Sequence, residues 1–335
     1  MRIQELRNKL SNANREDVEK IAAELYKLLP KAKKEEDADQ MIETVLAHED
    51  NKPKMIKDAP VDIGALKYEI DAFLSNVDKN YYFAPNRIVP KSKKSKWRFE
   101  VKGYVKQLDR VPLDGDDSAV AAGLIRELYL RLCRGCGYYI FSSEDPFRAL
   151  GITQPDFYER VVNRSFALGI NDARLKNALM DATTVFLDRE TLHENMETVL
   201  IEKLPTSDSK YKAIKIAMEI IENMEDSLKS LGKYSDRRYT LESNIESLCD
   251  TILGIAINLG EPNDAIKYYW LHDKSQDKEM TLYKLLQAIW YFDGSKELWI
   301  NSYENAVRIR KVQPRRWLVE QYEKITDMVN GNEQK

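Results

Sequence analysis

Cysteine and histidine are scarce in this chain, three of each among 335 residues, and that scarcity excludes whole classes of chemistry. Three cysteines cannot build a disulfide framework in a chain of this length, so a reducing compartment is expected. The histidines, His48, His193 and His272, stand alone: none has a second histidine four residues away, and no H-E-x-x-H occurs. Neither a G-x-S-x-G elbow nor a glycine loop that could cradle phosphate is present. A site assembled from scattered acidic residues with Tyr or His, in a cleft between the N-terminal region and the rest, is the one enzymatic alternative left. No motif speaks for it, so the chain reads as non-enzymatic, without a cofactor or a bound metal.

Long apolar runs are missing too. The most apolar stretches, Thr251–Leu259 and Val120–Ile125, fall far below the roughly 18 residues that cross a bilayer. The first ten residues carry charge throughout and hold no secretory apolar core. The expectation is a soluble, cytoplasmic protein with no membrane partner.

Glycine and proline, the residues that break regular structure, number only 13 and 11. Between them run long stretches of Leu, Lys, Glu, Ala and Ile, the composition of helices. The fold expected is all-α, a right-handed array of antiparallel helical hairpins, because only serial stacking buries ten or so successive apolar faces. Residues 1–80 form an N-terminal helical region, with helices marked by Ile3, Leu6 and Leu10, by Val18, Ile21, Leu25 and Leu28, by Met41, Ile42, Val45 and Leu46, and by Ile63, Leu66, Ile70, Phe73 and Leu74. Residues 81–117 form a basic, aromatic connector. Within it 97–105 fits a short β segment by alternation of Trp97, Phe99 and Val101, while Trp97, Val101, Val105 and Leu108 fit a helix, which the helical neighbours favour. Residues 118–330 form the array: Ser118 opens a helix stopped at Gly135 or Gly137, Thr153 with Pro155 opens another, Asn171 caps one running to Leu187, and similar segments cover about 190–203, 209–231, 238–259, 261–272, 278–292, 295–311 and 314–329.

Gly260 and Gly294 lie 34 residues apart, each between two amphipathic segments. Around them stand Leu259-Gly260-Glu261-Pro262 with Ala265 and Tyr269, and Asp293-Gly294-Ser295 with Tyr303 and Ala306. Over roughly 254–314 this resembles a degenerate pair of tetratricopeptide repeats. The resemblance implies small residues (Ala265, Ala306) at close helix contacts, and a concave groove that takes a protein or peptide. The second repeat departs from the pattern with Trp299 where a small residue is usual and Lys311 three residues before Pro314.

Cys133-Arg-Gly-Cys136 has the spacing of a metal or redox pair. A zinc site would need Cys249 and one histidine to converge on it, and a thioredoxin-like site would need a preceding strand. Packing as small apolar residues is the simpler reading. Asp114-Gly115-Asp116-Asp117 lacks the later oxygen ligands of a calcium loop and reads as a turn before Ser118.

Two surfaces remain as candidates. The net charge of −3 hides a basic island, Asn86–Arg110, with nine basic and two acidic residues, against 43 basic and 53 acidic elsewhere. In it Lys91, Lys93, Lys94, Lys96 and Arg98 surround Trp97, so cations could neutralise phosphates while a ring stacks on a base, the arrangement of a nonspecific nucleic-acid binder. The other is the aromatic density from Tyr268 to Trp317, where Tyr268, Tyr269, Trp290, Trp299 and Tyr303 are the candidate partner-binding residues. The leading expectation is a protein-interaction or scaffold module that binds a protein or peptide in the helical-repeat groove.

Overall fold

The computed structural model describes residue 10 and residues 13–28, 60–83, 85 and 90–332. All regular structure among them is helical. The helices expected around Ile3 and Leu6 and around Met41–Leu46 lie outside the described residues. Contacts divide the chain into two units, Met1–Pro60 and Val61–Lys335. In the first, helix α1 (Arg15–Leu28) is opened by Asn14, whose side chain accepts the Asp17 N–H at 2.9 Å.

The second unit is built from α2 (Ile63–Asp78), the single turn α3 (Lys91–Lys94), α4 (Trp97–Leu108), α5 (Ser118–Gly137), the short α6 (Pro146–Leu150), α7 (Gln154–Ala167), α8 (Asp172–Thr183), α9 (His193–Glu202), α10 (Ser207–Lys229), α11 (Asp236–Leu259), α12 (Pro262–His272), α13 (Lys278–Tyr291), α14 (Lys296–Arg308) and α15 (Arg316–Asn332). The start signals act as their chemistry demands. Asp62, Thr153, Asn171, Thr206, Asp277 and Ser295 each accept a backbone N–H from the first turn of the helix that follows. Each such cap stabilises its helix by about 1 kcal/mol.

Residues 97–105 are helical, so the short β segment is corrected. Trp97, Val101, Val105 and Leu108 are all buried, and the helical stripe they form fills the core where alternation would have turned Phe99 inward. Helix α8 also stops at Thr183 rather than Leu187. The hydroxyls of Thr183 and Thr184 fold back onto the carbonyls of Leu179 and Met180, and a β-branched run Thr183-Thr184-Val185 favours leaving the helix there. The turn of helix at α6 is too short to leave a period in the sequence.

Packing follows chain order. Helices α5, α7, α9, α11 and α13 each contact the next in that series, α8 contacts α10, and α10, α11 and α12 pack as successive neighbours. One continuous core runs through them, from Leu66 and Ile70 of α2 to Leu318 and Ile325 of α15. The two glycines serve different purposes. Gly260 ends α11 in the left-handed conformation, φ +78°, where a Cβ would be strained. At Gly294 a Cβ would stand 2.7 Å from the carbonyl oxygen of Ile289, so the residue is small because backbone passes against it.

Candidate partner-binding groove

Helix α13 presents Tyr283, Leu286, Gln287 and Trp290 at the i, i+3, i+4, i+7 spacing of a single face. Helix α15 presents Trp317, Gln321, Lys324 and Met328 in the same way. The two faces line a cavity of about 640 Å³, with Trp299 of α14 and Leu318 and Ile325 of α15 buried at its base and Leu192 and Glu194, at the start of α9, also lining it. That volume falls within the roughly 300–1,000 Å³ usual for ligand sites. Its rings are open to solvent: Trp290 is 57% exposed and Trp317 43%, with Leu192, Tyr291 and Met328 also exposed.

The rings are held from behind. Trp317 meets Tyr283 edge-on at 5.1 Å between centroids, and Tyr291 accepts a hydrogen bond from Asn195 Nδ2 at 2.9 Å. Beneath the surface Trp299, Tyr303 and Tyr322 form a stack, with Tyr303 4.4 Å from Tyr322. The Tyr322 hydroxyl donates to Glu304, a bond that raises its pKa, and burial raises that of Tyr303. Both phenols therefore stay neutral donors.

Of the five partner-binding candidates, the groove brings together Trp290 and Trp299. Tyr303 is one layer deeper, in the stack. Tyr269 is fully buried, its hydroxyl donating to Asp250 at 2.9 Å, and Tyr268 is half-buried against His272, its ring stacked at 4.0 Å; neither lines the cavity. Tyr291 and Trp317, within the aromatic-dense stretch but outside the five candidates, line it as well, as do Met328 and Leu192, which lie outside that stretch. The signal for Trp317 and Met328 was their place on one stripe of α15 beside the buried Leu318 and Ile325.

The basic island divides. Lys91 and Lys93 lie on the helical turn α3, Lys94 is buried, and Lys96 and Arg98 are exposed. Trp97 is only 1% exposed: its ring stacks on Phe141 at 4.4 Å and its indole N–H donates to Ser142, so it offers no face to a base. Phe99 is the exposed ring instead, with the Arg98 guanidinium 4.8 Å above it and Lys102 and Lys106 exposed on the same helix.

The cysteines are free thiols, with Cys133 and Cys249 buried and Cys136 half-buried at the end of α5. Burial pushes all three up, Cys136 to about 12, which removes thiolate character. Among the described residues no three Asp, Glu, His or Cys side chains are grouped to hold a metal, and no helix is long and apolar enough to cross a membrane. Comparison of the chain with protein-family models, with curated proteins and with solved structures gives no match.

Proposed function

We propose that the chain is a non-enzymatic interaction module in which the α13–α15 groove takes an apolar stretch of a protein or peptide partner, on an array of helical hairpins of the tetratricopeptide-like kind. One observation carries this: Trp290, Tyr291 and Trp317 remain exposed around one concave site, although the same helices have a buried face to hide rings in. Tryptophan and tyrosine exposed beside a pocket are the residues that dominate binding energy at interfaces. The stretch of α15 from Trp317 to Met328 is about 16 Å long at 1.5 Å per residue, which matches three turns of a partner helix. Such a helix would present two or three apolar anchors at i, i+3 or i+4, and i+7.

The test is selection of helical peptides against the full chain from a displayed library, followed by titration against Trp290→Ala and Trp317→Ala. Enriched peptides with that anchor spacing, bound at least tenfold more weakly by either variant, are the expected result. Enriched peptides indifferent to both substitutions, or no enrichment, would sink the proposal.

A second reading, contact with nucleic acid by the basic island, rests on Phe99 with Lys96, Arg98, Lys102 and Lys106, all exposed on or beside α4. Single-stranded RNA should then bind at low salt with a log–log salt slope of about −3, and Phe99→Ala should weaken it. A flat salt dependence would reject this.

A further inference from the structure

The chain itself carries a helix with the anchor pattern that the α13–α15 groove calls for. Helix α1 (Arg15–Leu28) sets Val18, Ile21, Leu25 and Leu28 along one stripe, while Glu16, Lys20 and Lys27 stand on the opposite side. The stripe is largely bare: Leu28 is 80% exposed and Leu25 53%, with Ile21 also exposed and Val18 half-buried. Surface helices ordinarily show such side chains singly, and singly they need no partner. No other described helix leaves three aliphatic side chains of one stripe exposed.

Length and chemistry match as well. From Val18 to Leu28 the stripe runs about 15 Å at 1.5 Å per residue, close to the span from Trp317 to Met328 on α15. Ile21, Leu25 and Leu28 are spaced i, i+4 and i+7, the anchors of a helix laid in a groove. The groove is lined by apolar and aromatic side chains apart from Glu194, Gln287, Gln321 and Lys324, so an uncharged aliphatic stripe suits it, with Glu16, Lys20 and Lys27 turned to water. The stripe and the groove rings stand exposed together in one chain, and a second copy offers each of them its counterpart.

We propose that the groove of one copy of this chain receives helix α1 of a second copy, and that exchange in both directions closes a two-fold dimer. The proposal rests on the groove being a helix-binding site, and it names the occupant. Seating one three-turn helix buries on the order of 1,000 Å² over both surfaces, the lower bound for a stable interface, whereas two equivalent seats reach the usual size of about 1,600 Å² or more. Exchange in one direction would leave a bare stripe and an empty groove on every pair, open to further copies. Only the reciprocal arrangement covers all four faces and closes the assembly.

The test is sedimentation velocity of the full chain across micromolar concentrations. A reversible monomer–dimer equilibrium is expected, weakened at least tenfold by Leu25→Asp and by Trp290→Ala, both at exposed positions and checked for folding by circular dichroism. An equimolar mixture of the two variants restores one seat, the α1 of Trp290→Ala in the groove of Leu25→Asp, and should associate more tightly than either variant alone. A synthetic peptide of residues 13–28 should dissociate the parent dimer. A parent chain that stays monomeric would overturn the proposal, as would a dimer indifferent to both substitutions and to the peptide. If that monomer still binds library-selected helical peptides through Trp290 and Trp317, the groove reading survives and only its occupant is wrong.

Discussion

Helices α5–α7 and helices α13–α15 use the same residue types in opposite ways. In the first group Tyr129, Phe147, Phe157 and Tyr158 are fully buried, with Tyr129 5.7 to 6.2 Å from the other three rings. Both hydroxyls are satisfied by backbone carbonyls, Tyr129 on Asp181 at 2.8 Å and Tyr158 on Ala178 at 2.7 Å. In the second group Trp290, Tyr291 and Trp317 surround an open cavity. Aromatic content alone therefore does not separate core from exposed surface; for Trp317 the separation follows from its helix having a neighbour on one side only, while Trp290 and Tyr291 lie on the side of α13 that faces away from α11 and α14. Helix α7 is packed by α5, α8 and α9, whereas α15 has substantial contact with α14 alone.

The strongest way to sharpen that contrast is to truncate a ring in each group. Phe157→Ala removes a fully buried side chain and leaves a cavity, so unfolding free energy should fall by about 3–5 kcal/mol. Urea denaturation followed by far-UV circular dichroism measures it, and a loss under about 1 kcal/mol would mean that the α5–α7 cluster is not the core.

Next in size is a pH effect on the α9–α11 contact. Glu197 is 0% exposed, accepts a hydrogen bond from Ser247 and has its other oxygen unpaired. Burial raises its pKa, with the Asp250 charge adding to the rise, and burial likewise raises Asp250 to about 8. Both folded pKa values lie above the unfolded ones, near 4, so the protonated forms favour the fold. The contribution of these two groups is then full below about pH 4 and is lost as pH rises to 8 and beyond. Asp250 is only half-buried by surface, so solvent trims its share and Glu197 accounts for most of the loss. Glu197→Gln, which keeps an acceptor for Ser247, should flatten the decline in melting temperature between pH 6 and 9. An unchanged decline would clear Glu197.

Smaller effects should separate the two glycines that share a 34-residue spacing. Gly260→Ala places a Cβ at φ +78° and should cost about 1–2 kcal/mol. Gly294→Ala meets the carbonyl of Ile289, so backbone must move, and about 1–3 kcal/mol is expected. Equal and negligible costs would show both turns to be plastic.

Legibility in the sequence followed the range of the forces involved. The caps at Thr153 and Asn171 depend on residues within one turn, and they stood out in the chain, whereas the buried stripe of α4 shared its segment with a strand-like alternation. Which ring faces which neighbour depends on helices far apart in sequence. Tyr268 and Tyr269 are adjacent, yet one is half-buried on His272 and the other sealed on Asp250. Nor did spacing mark Arg164, because its partners at Leu108 and Val111 lie more than fifty residues away. Trp97 had the local look of a stacking ring and became core, since Phe141 of a distant loop covers it.

The smallest stability effect is expected at Trp290, and its smallness is the point. A ring 57% exposed gives up less than half of the area that a buried ring does, so Trp290→Ala should lower unfolding free energy by no more than about 1 kcal/mol, well below the loss at Phe157. A tryptophan at the surface that adds little to the fold is free to make another contact, and the groove peptide of the library selection is the proposed one. Measured side by side, Phe157→Ala should unfold the protein more readily and spare peptide binding per folded molecule, while Trp290→Ala should do the reverse. If Trp290→Ala instead destabilises by 2 kcal/mol or more, α13 depends on that ring for packing. The contrast between the two helix groups would then collapse into one extended core.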